Sequence, residues 1–340
     1  MGNLKRGTRN GEARGAAEKK VFDAAGFRRE LADWFGEAGR DLPWRRTTDP
    51  YAVLVSVFMC QQTTVAAVVP YFERWMERWP RVADLAAASE DEVLSTWEGL
   101  GYYSRGRNLR RAAVAVMEEH GGAVPDNFAG LRSLPGVGEY TANAVLAFAF
   151  DRAAPVVDGN VARVLARVLN YEGAVDSGEG KVWLRETAGA MQGEGGRDYN
   201  SAVMELGALI CRPRSPLCLT CPVETYCRAV EPETLPVKRA RAKVTRVRER
   251  RAWVRDAGGI WLERSVGPRW RGMWMLPEAG GEGEVLLAED YPITRYLVRM
   301  EVVRGEVSEG LRRFSVDEAE RVAVPAPHRR VIRRLLADGN

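Results

Sequence analysis

The chain is poor in cysteine, in histidine and in surplus charge. Of its 340 residues five are cysteine and two, His120 and His328, are histidine. Fifty Lys and Arg against 46 Asp and Glu leave a formal net charge of +4. With so small a surplus, any nucleic-acid face must come from local clustering of basic residues. No apolar run approaches the roughly 20 residues of a membrane span, so no membrane partner is expected. No secretory leader is evident, and a chain this long does not need disulfide staples, so a reducing cytoplasm is expected. What is present, 46% hydrophobic and 28% charged residues, suits two domains with cores of their own.

The stretch 134–160 organises the rest. Leu134-Pro-Gly-Val-Gly138 reads as a turn between two helices, with Gly136 and Gly138 free to take positive φ and to admit another backbone. Asp126, Ser133 and Thr141 are candidate caps. Amides at a helix N-terminus suit a phosphate, although an ordinary helix–helix turn explains the same glycines. An apolar run from Thr141 predicts a buried helix ended by Pro155. Asp158 then opens the next helix, where the dipole favours its ionised form; taken alone, a capping role is the simpler reading.

Cys211, Cys218, Cys221 and Cys227 follow the pattern C-x6-C-x2-C-x5-C in one Pro-punctuated segment. Disulfides, four zinc thiolates and a 4Fe-4S cubane are all open on spacing alone, the uneven spacing suiting the cubane at least as well as zinc. Elsewhere, Phe27, Leu31, Trp34 and Phe35 recur at helical spacing. The run 51–60 reads as a core helix broken by the polar elbow 61–64, with Cys60 as core. Residues 91–97, 161–169 and 199–210 read as helices and 112–116 as core. Residues 99–103 form a turn with aromatics beside Arg105, Arg107, Arg110 and Arg111, a pattern suited to stacking and phosphate contact. Residues 1–20 read as a disordered basic tail, 21–234 as the main domain with the cysteine loop at 211–227, 235–250 as a basic linker, and 251–340 as a second, α/β domain.

LPGVGEYT, VVDGN and the cysteine pattern, in this order, resemble the helix-hairpin-helix DNA glycosylases with an iron–sulfur loop. LPWR (42–45), QQT (61–63), PYFERW (70–75) and WEGLGYYSRGRNL (97–109) narrow the resemblance to the MutY type, which removes adenine opposite 8-oxoguanine. It is close over residues 27–228 and weaker beyond. The resemblance implies a mainly α N-terminal region of two helical lobes with a 4Fe-4S loop, plus an α/β, Nudix-like C-terminal domain. It implies a 4Fe-4S cluster on the four cysteines and a monomer acting on double-stranded DNA with a mismatched or damaged base, cytoplasmic and nucleoid-associated. Residue by residue, it implies a sugar-stabilising carboxylate at Asp158 and a pocket tyrosine at Tyr140. Gln62 is the wedge into the base stack, Thr63 touches the flipped base's partner, and Leu100 or Tyr102 inserts beside the orphaned base. Arg45, Arg105, Arg212, Gly136 and Gly138 meet the DNA backbone. Tyr140 is not lysine, so a Schiff base and strand cleavage are not expected.

Three features depart from that pattern. Val57 stands where the MutY type carries its general-acid glutamate, and Ser201 where a second pocket glutamate stands. Ile293, Thr294 and Arg295 align with the family's lesion-reading Phe-Ser-His. No Nudix metal box follows Glu278, so that domain is expected to read rather than hydrolyse. Three outcomes follow from the departures: a proton donor elsewhere (Glu139, Glu205 or a water held by Tyr140), a specificity retuned to a pyrimidine such as thymine or uracil, or a mismatch-binding protein without catalysis.

Overall fold

The computed structural model describes residues 22–240, 243–281 and 283–339; the basic tail over 1–20 lies outside them. Eleven helices of the described residues precede the sheets. The first, α1 (Ala24–Ala38), is capped by Asp23 and buries Phe27 and Leu31, with Trp34 and Phe35 half-buried beside them. Then come α2 (Pro50–Cys60), α3 (Val65–Arg78), α4 (Val82–Ala87), α5 (Glu90–Thr96), α6 (Ser104–Glu119), α7 (Phe128–Ser133) and α8 (Glu139–Phe150). The last three are α9 (Gly159–Val168), α10 (Gly178–Gln192) and α11 (Arg197–Leu209).

Two cores divide these helices into two lobes. The first lobe is α2 to α8, wrapped around α2, in which every residue from Tyr51 to Met59 is buried. That burial explains a helix with no polar face. Asp49 accepts from the Tyr51 and Ala52 amides and Pro50 stands in the first turn, so the start of α2 is locally specified. The second lobe joins α1 to α9, α10, α11 and the cysteine loop around Val164, Leu165, Ala166, Val203 and Leu206. The hairpin thus belongs to the first lobe, and the cysteines to the lobe that holds both ends of the helical region.

The C-terminal region is an α/β domain. A three-stranded sheet runs β1–β6–β5, from β1 (Thr245–Trp253), β5 (Val285–Ile293) and β6 (Tyr296–Arg304), with β1 parallel and β5 antiparallel to β6. The second sheet holds β2 (Arg255–Asp256), β3 (Gly259–Arg264), β4 (Trp274–Met275) and β7 (Arg312–Phe314). Helices α12 (Val316–Arg321) and α13 (Ala326–Ala337) close it. Its apolar side chains, among them Trp270, Leu276 and Val331, are continuous with the core of the first lobe.

Several local expectations are corrected. Asn127 and Gly138, rather than Asp126, Ser133 or Thr141, cap α7 and α8. Helix α8 ends at Phe150, where Asp151 takes a left-handed conformation, before Pro155 is reached. Residues 245–250 of the expected linker are already strand, because their alternation pairs them with β6. The strand β5 follows Glu278, in a stretch where the sequence marked no strand. Among the described residues no helix is long and apolar enough to cross a membrane.

Candidate active site

A groove of about 1140 Å³ opens between the lobes, lined by α2, the elbow after it, the hairpin, and the N-termini of α9 and α11. Asp158 lies in its wall as the N-cap of α9. Its Oδ1 accepts from the Asn160 amide at 2.9 Å and the Val161 amide at 2.8 Å, and its Oδ2 accepts from Asn160 Nδ2 at 3.1 Å. Burial pushes its carboxyl above the ordinary value, and these hydrogen bonds counter part of that rise. The side chain therefore caps a helix and faces the groove at once. Tyr140, in the first turn of α8, also lines the groove. Burial, with help from the charge of Asp158, keeps its phenol protonated.

Val57 is buried one turn from Val53 and Cys60, which do line the groove, as does Ser56. Helical spacing sets residue 57 on that same face. Cys60 is therefore groove wall rather than closed core, and burial pushes its thiol up to about 12. Ser201 lines the groove from α11. Of the two glutamates considered as substitute proton donors, Glu205 lines the groove and Glu139 does not. Glu139 is exposed, paired with Arg185 at 3.3 Å and outside the groove lining. Glu205, 1% exposed, binds Arg40 Nε at 2.6 Å, Arg40 Nη2 at 3.0 Å and Arg45 Nη2 at 2.8 Å. Burial alone would raise its pKa, but hydrogen bonds from Arg40 and then Arg45 hold it below the usual range. Arg45 is thereby committed to the groove wall.

The elbow and the turn at 99–103 meet over Arg105. This side chain is buried, a correction to the expectation that it meets phosphate. Its Nη1 donates to the carbonyls of Phe58 and Met59 at 2.9 Å each and Gln61 at 2.5 Å. Its Nη2 donates to Thr63 Oγ1 at 3.0 Å, to the Leu100 carbonyl at 3.0 Å and to the Gly101 carbonyl at 3.1 Å. One guanidinium thus ties together the free carbonyls at the end of α2 and the turn, and its desolvation lowers its pKa to about 10. Gln62 is exposed at a left-handed φ of 58°, projecting from the elbow as a wedge would. Thr63 lies just inside it. Of the two insertion candidates, Leu100 is 6% exposed and Tyr102 46% exposed, so only Tyr102 is presented to solvent.

In the hairpin, Gly136 takes φ +78°, and an added Cβ would lie 2.6 Å from the Cβ of Asn108. Gly138 does not take positive φ; it is the extended cap of α8. Arg212 lies in the cysteine loop and donates to the Ser215 carbonyl at 3.0 Å. Ile293, Thr294 and Arg295 form the tip of the β5–β6 hairpin, with Thr294 at φ 51° and Arg295 over the Tyr296 ring at 5.1 Å. They are not part of the groove lining.

The four cysteines line one cavity of about 210 Å³ at the end of α11. None forms a disulfide. Among the described residues no group of three or more Cys, His, Asp or Glu is arranged to hold a single metal ion. Two arginines of α9, a segment that the sequence marked only as a helix, bind this loop. Arg163 donates to the Cys211 carbonyl at 2.7 Å and to Asn160 Oδ1 at 2.8 Å. Arg167 Nη1 reaches Cys211 Sγ at 3.3 Å and the Arg212 carbonyl at 2.7 Å. Their spacing of four residues on the turns after Asp158 was the available signal.

Residues 55–180, from mid-α2 into α10, match the family described as HhH-GPD superfamily base excision DNA repair protein. The adenine DNA glycosylase of Rattus norvegicus is 47% identical over 219 residues, covering 62% of this chain and 42% of the rat protein. That of Mycolicibacterium smegmatis is 42% identical over 201 residues, covering 58% of this chain and 68% of the other. The solved structure of a thermostable thymine-DNA glycosylase matches with TM-score 0.55 at 30% identity, covering 60% of this chain and 95% of that one. The chain belongs to the HhH-GPD superfamily of base excision DNA repair proteins, in its MutY-type branch. It spans less than half the length of the rat relative.

Proposed function

We propose that this protein is a monofunctional DNA N-glycosylase that binds duplex DNA as a monomer, extrudes a mismatched or damaged base into the groove and hydrolyses its N-glycosidic bond. The observation that carries the reading is Asp158: a carboxylate fixed by three hydrogen bonds in the wall of a groove large enough for a nucleotide. As the C1′–N bond breaks, the departing base takes the electron pair. Positive charge then spreads over C1′ and the ring oxygen, where a fixed carboxylate stabilises it without reorganising. Water adds to C1′ and loses a proton, and the base leaves protonated. Adenine is the favoured base, because the relatives are adenine DNA glycosylases. Glu205 and Glu139 are committed elsewhere, so the proton for adenine N7 comes from water ordered by the neutral Tyr140 phenol. With a tyrosine in place of lysine at 140 the enzyme stops at the abasic site.

The cysteine loop would hold a 4Fe-4S cluster through Cys211, Cys218, Cys221 and Cys227. The fit rests on charge. Arg167 is fully buried, has no carboxylate partner among the described residues and aims at Cys211 Sγ. Its other donors reach the Leu235, Arg212 and Pro213 carbonyls, and cluster thiolates would place an anion beside the buried charge. A single zinc would need all four sulfurs within about 2.3 Å of one point. The cluster supplies a rigid loop, and the loop holds Arg212 for phosphate. The C-terminal domain would act as a Nudix-like reader, with Thr294 and Arg295 at its exposed tip, in a cytoplasmic, nucleoid-associated protein.

The loss of an acid at Val57 and Ser201 favours one second reading, a pyrimidine glycosylase, because a pyrimidine leaves as an anion without N7 protonation. Single-turnover excision on duplexes bearing A, G, T or U opposite each partner, 8-oxoguanine included, decides among them after alkaline cleavage. Adenine release supports the main reading; release of thymine or uracil alone transfers it to the second. Binding with no release of any base overturns both.

A further inference from the structure

The turn at 99–103 stands on strained backbone. Gly99, Gly101 and Tyr102 take φ of 99°, 70° and 47°. Non-glycine residues are disfavoured in the left-handed region and persist there only where the surroundings over-determine them. Within the first lobe the supports are plain. Arg105 Nη2 donates to the Leu100 and Gly101 carbonyls. Trp97 Nε1 donates to the Gly101 carbonyl at 3.0 Å, and Tyr71 Oη donates to the Glu98 carbonyl at 2.8 Å. An added Cβ at Gly99 would lie 2.1 Å from Tyr71 Oη, so the turn sits directly against α3.

The remaining support comes from the other domain. Arg329, on α13, is 4% exposed, and its fork meets the Glu98 carboxylate: Nε to Oε1 at 2.8 Å and Nη2 to Oε2 at 2.7 Å. The same guanidinium donates to the Val322 carbonyl at 2.7 Å and to that of Ala319, at the end and in the middle of α12. A second link runs beside it, from Ser95 Oγ to the Arg321 carbonyl at 2.9 Å. Glu98 is the residue immediately before the strained turn. A planar guanidinium bonding two carboxylate oxygens fixes orientation as well as distance.

We propose that Arg329 is a positioning residue of the C-terminal domain that holds, through Glu98, the turn presenting Tyr102 to DNA. This rests on reading Tyr102 as the inserted side chain. The C-terminal domain thereby sets how readily a base is extruded, separately from any base that it reads itself. A lesion that shifts α13 or α12 would reach the insertion turn through the half-buried Arg329–Glu98 ion pair, not through the groove.

The full-length protein tests this in two arms. Hydrogen exchange on the free protein compares wild type with Arg329→Gln, Glu98→Gln and the double variant. Amides over 99–103 should exchange about tenfold faster in each single variant and no faster in the double, since both remove one charge-assisted interaction. Amides of α8 should be unchanged, and Arg329→Lys should recover part of the protection. The second arm follows a fluorescent adenine analogue, 2-aminopurine, in a mismatched duplex. Its unstacking rate should fall about tenfold in the single variants while duplex affinity changes less than threefold. Should Arg329→Gln unfold α13, Glu98→Gln still carries the test, since it leaves α13 intact. Unchanged exchange over 99–103, or single variants that unstack the base at the wild-type rate, overturns the proposal. A wild type that never unstacks or releases a base overturns the glycosylase reading instead, and the exchange arm then decides the coupling by itself.

Discussion

Arg167 Nη1 and Cys211 Sγ lie 3.3 Å apart, and no carboxylate forms an ion pair with that guanidinium among the described residues. Replacing Arg167 with methionine keeps much of the volume and removes the charge. Iron content and the broad visible absorption of a thiolate-bound cluster should drop sharply on purification, with the helical signal of the first lobe preserved. Stoichiometric zinc without iron in the wild type would contradict the cluster assignment.

Asp158 has two duties, and asparagine separates them. Asparagine is as good an N-cap as aspartate, so Asp158→Asn should leave the thermal midpoint within a degree or two, by roughly the linkage of free energy to midpoint. Excision should fall on the order of 10³-fold, as when one preorganised electrostatic group is removed, while duplex affinity persists. The pH profile follows from the raised carboxyl. The reaction needs the ionised form, so excision by the wild type should fall as pH drops through a pKa above the ordinary 3.8. An acid limb below that value would argue against Asp158.

Glu205→Gln tests the groove wall. Glutamine keeps one acceptor oxygen and turns the other into an NH2 that cannot accept from arginine, so bonds are lost and two arginines lose their counter-ion, which should cost about 2 kcal/mol in denaturant unfolding. The sign with pH is definite. The folded-state pKa is depressed, so the carboxylate's contribution is full above the unfolded value near 4.5 and is lost as pH falls through the folded one. The variant should show a flatter stability profile below pH 4.5 than the wild type.

Val57→Glu restores a carboxyl on the groove face of α2. Burial would lift its pKa toward neutrality, as a proton donor requires. If protonation limits adenine release, the rate should rise by roughly 10²–10⁴-fold, at some loss of stability from a buried acid. No change in an enzyme that already releases adenine would mean that the Tyr140-ordered water is sufficient.

Arg105→Met should weaken DNA binding by loosening the elbow, yet leave the slope of affinity against salt unchanged. A phosphate contact would lower that slope by about 0.9. Binding measured across a salt series separates the two.

Helical period and turn residues reached the helices and the hairpin turn, because those are local properties of the chain, whereas the two lobes and a groove role for Asp158 were implied only by the family resemblance. Sequence reading misassigned Arg105, since an arginine followed by three more gives no sign that one of them turns inward to satisfy carbonyls some 45 positions away. It could not separate Leu100 from Tyr102 for the same reason: which of two neighbouring apolar residues faces solvent depends on φ at Gly99 and Gly101. The Arg163 and Arg167 roles needed the fold as well, because their partners come from the loop after α11. Strand β5 was hidden by its own composition, with Glu, Asp and Pro in an exposed-edge pattern.

The second lobe contains the first helix and the last three of the helical region, with the whole first lobe inserted between α1 and α9. During synthesis α1 leaves the ribosome long before α9 or α11 exists to cover Phe27 and Leu31. The first lobe, continuous from α2 to α8, has all its own helices by residue 150 and can fold as a unit while α1 waits, the C-terminal domain adding to its core afterwards. The groove therefore has no second wall until the chain has been made past residue 209, and the half-built protein offers Phe27 and Leu31 to chaperones before it offers anything to DNA.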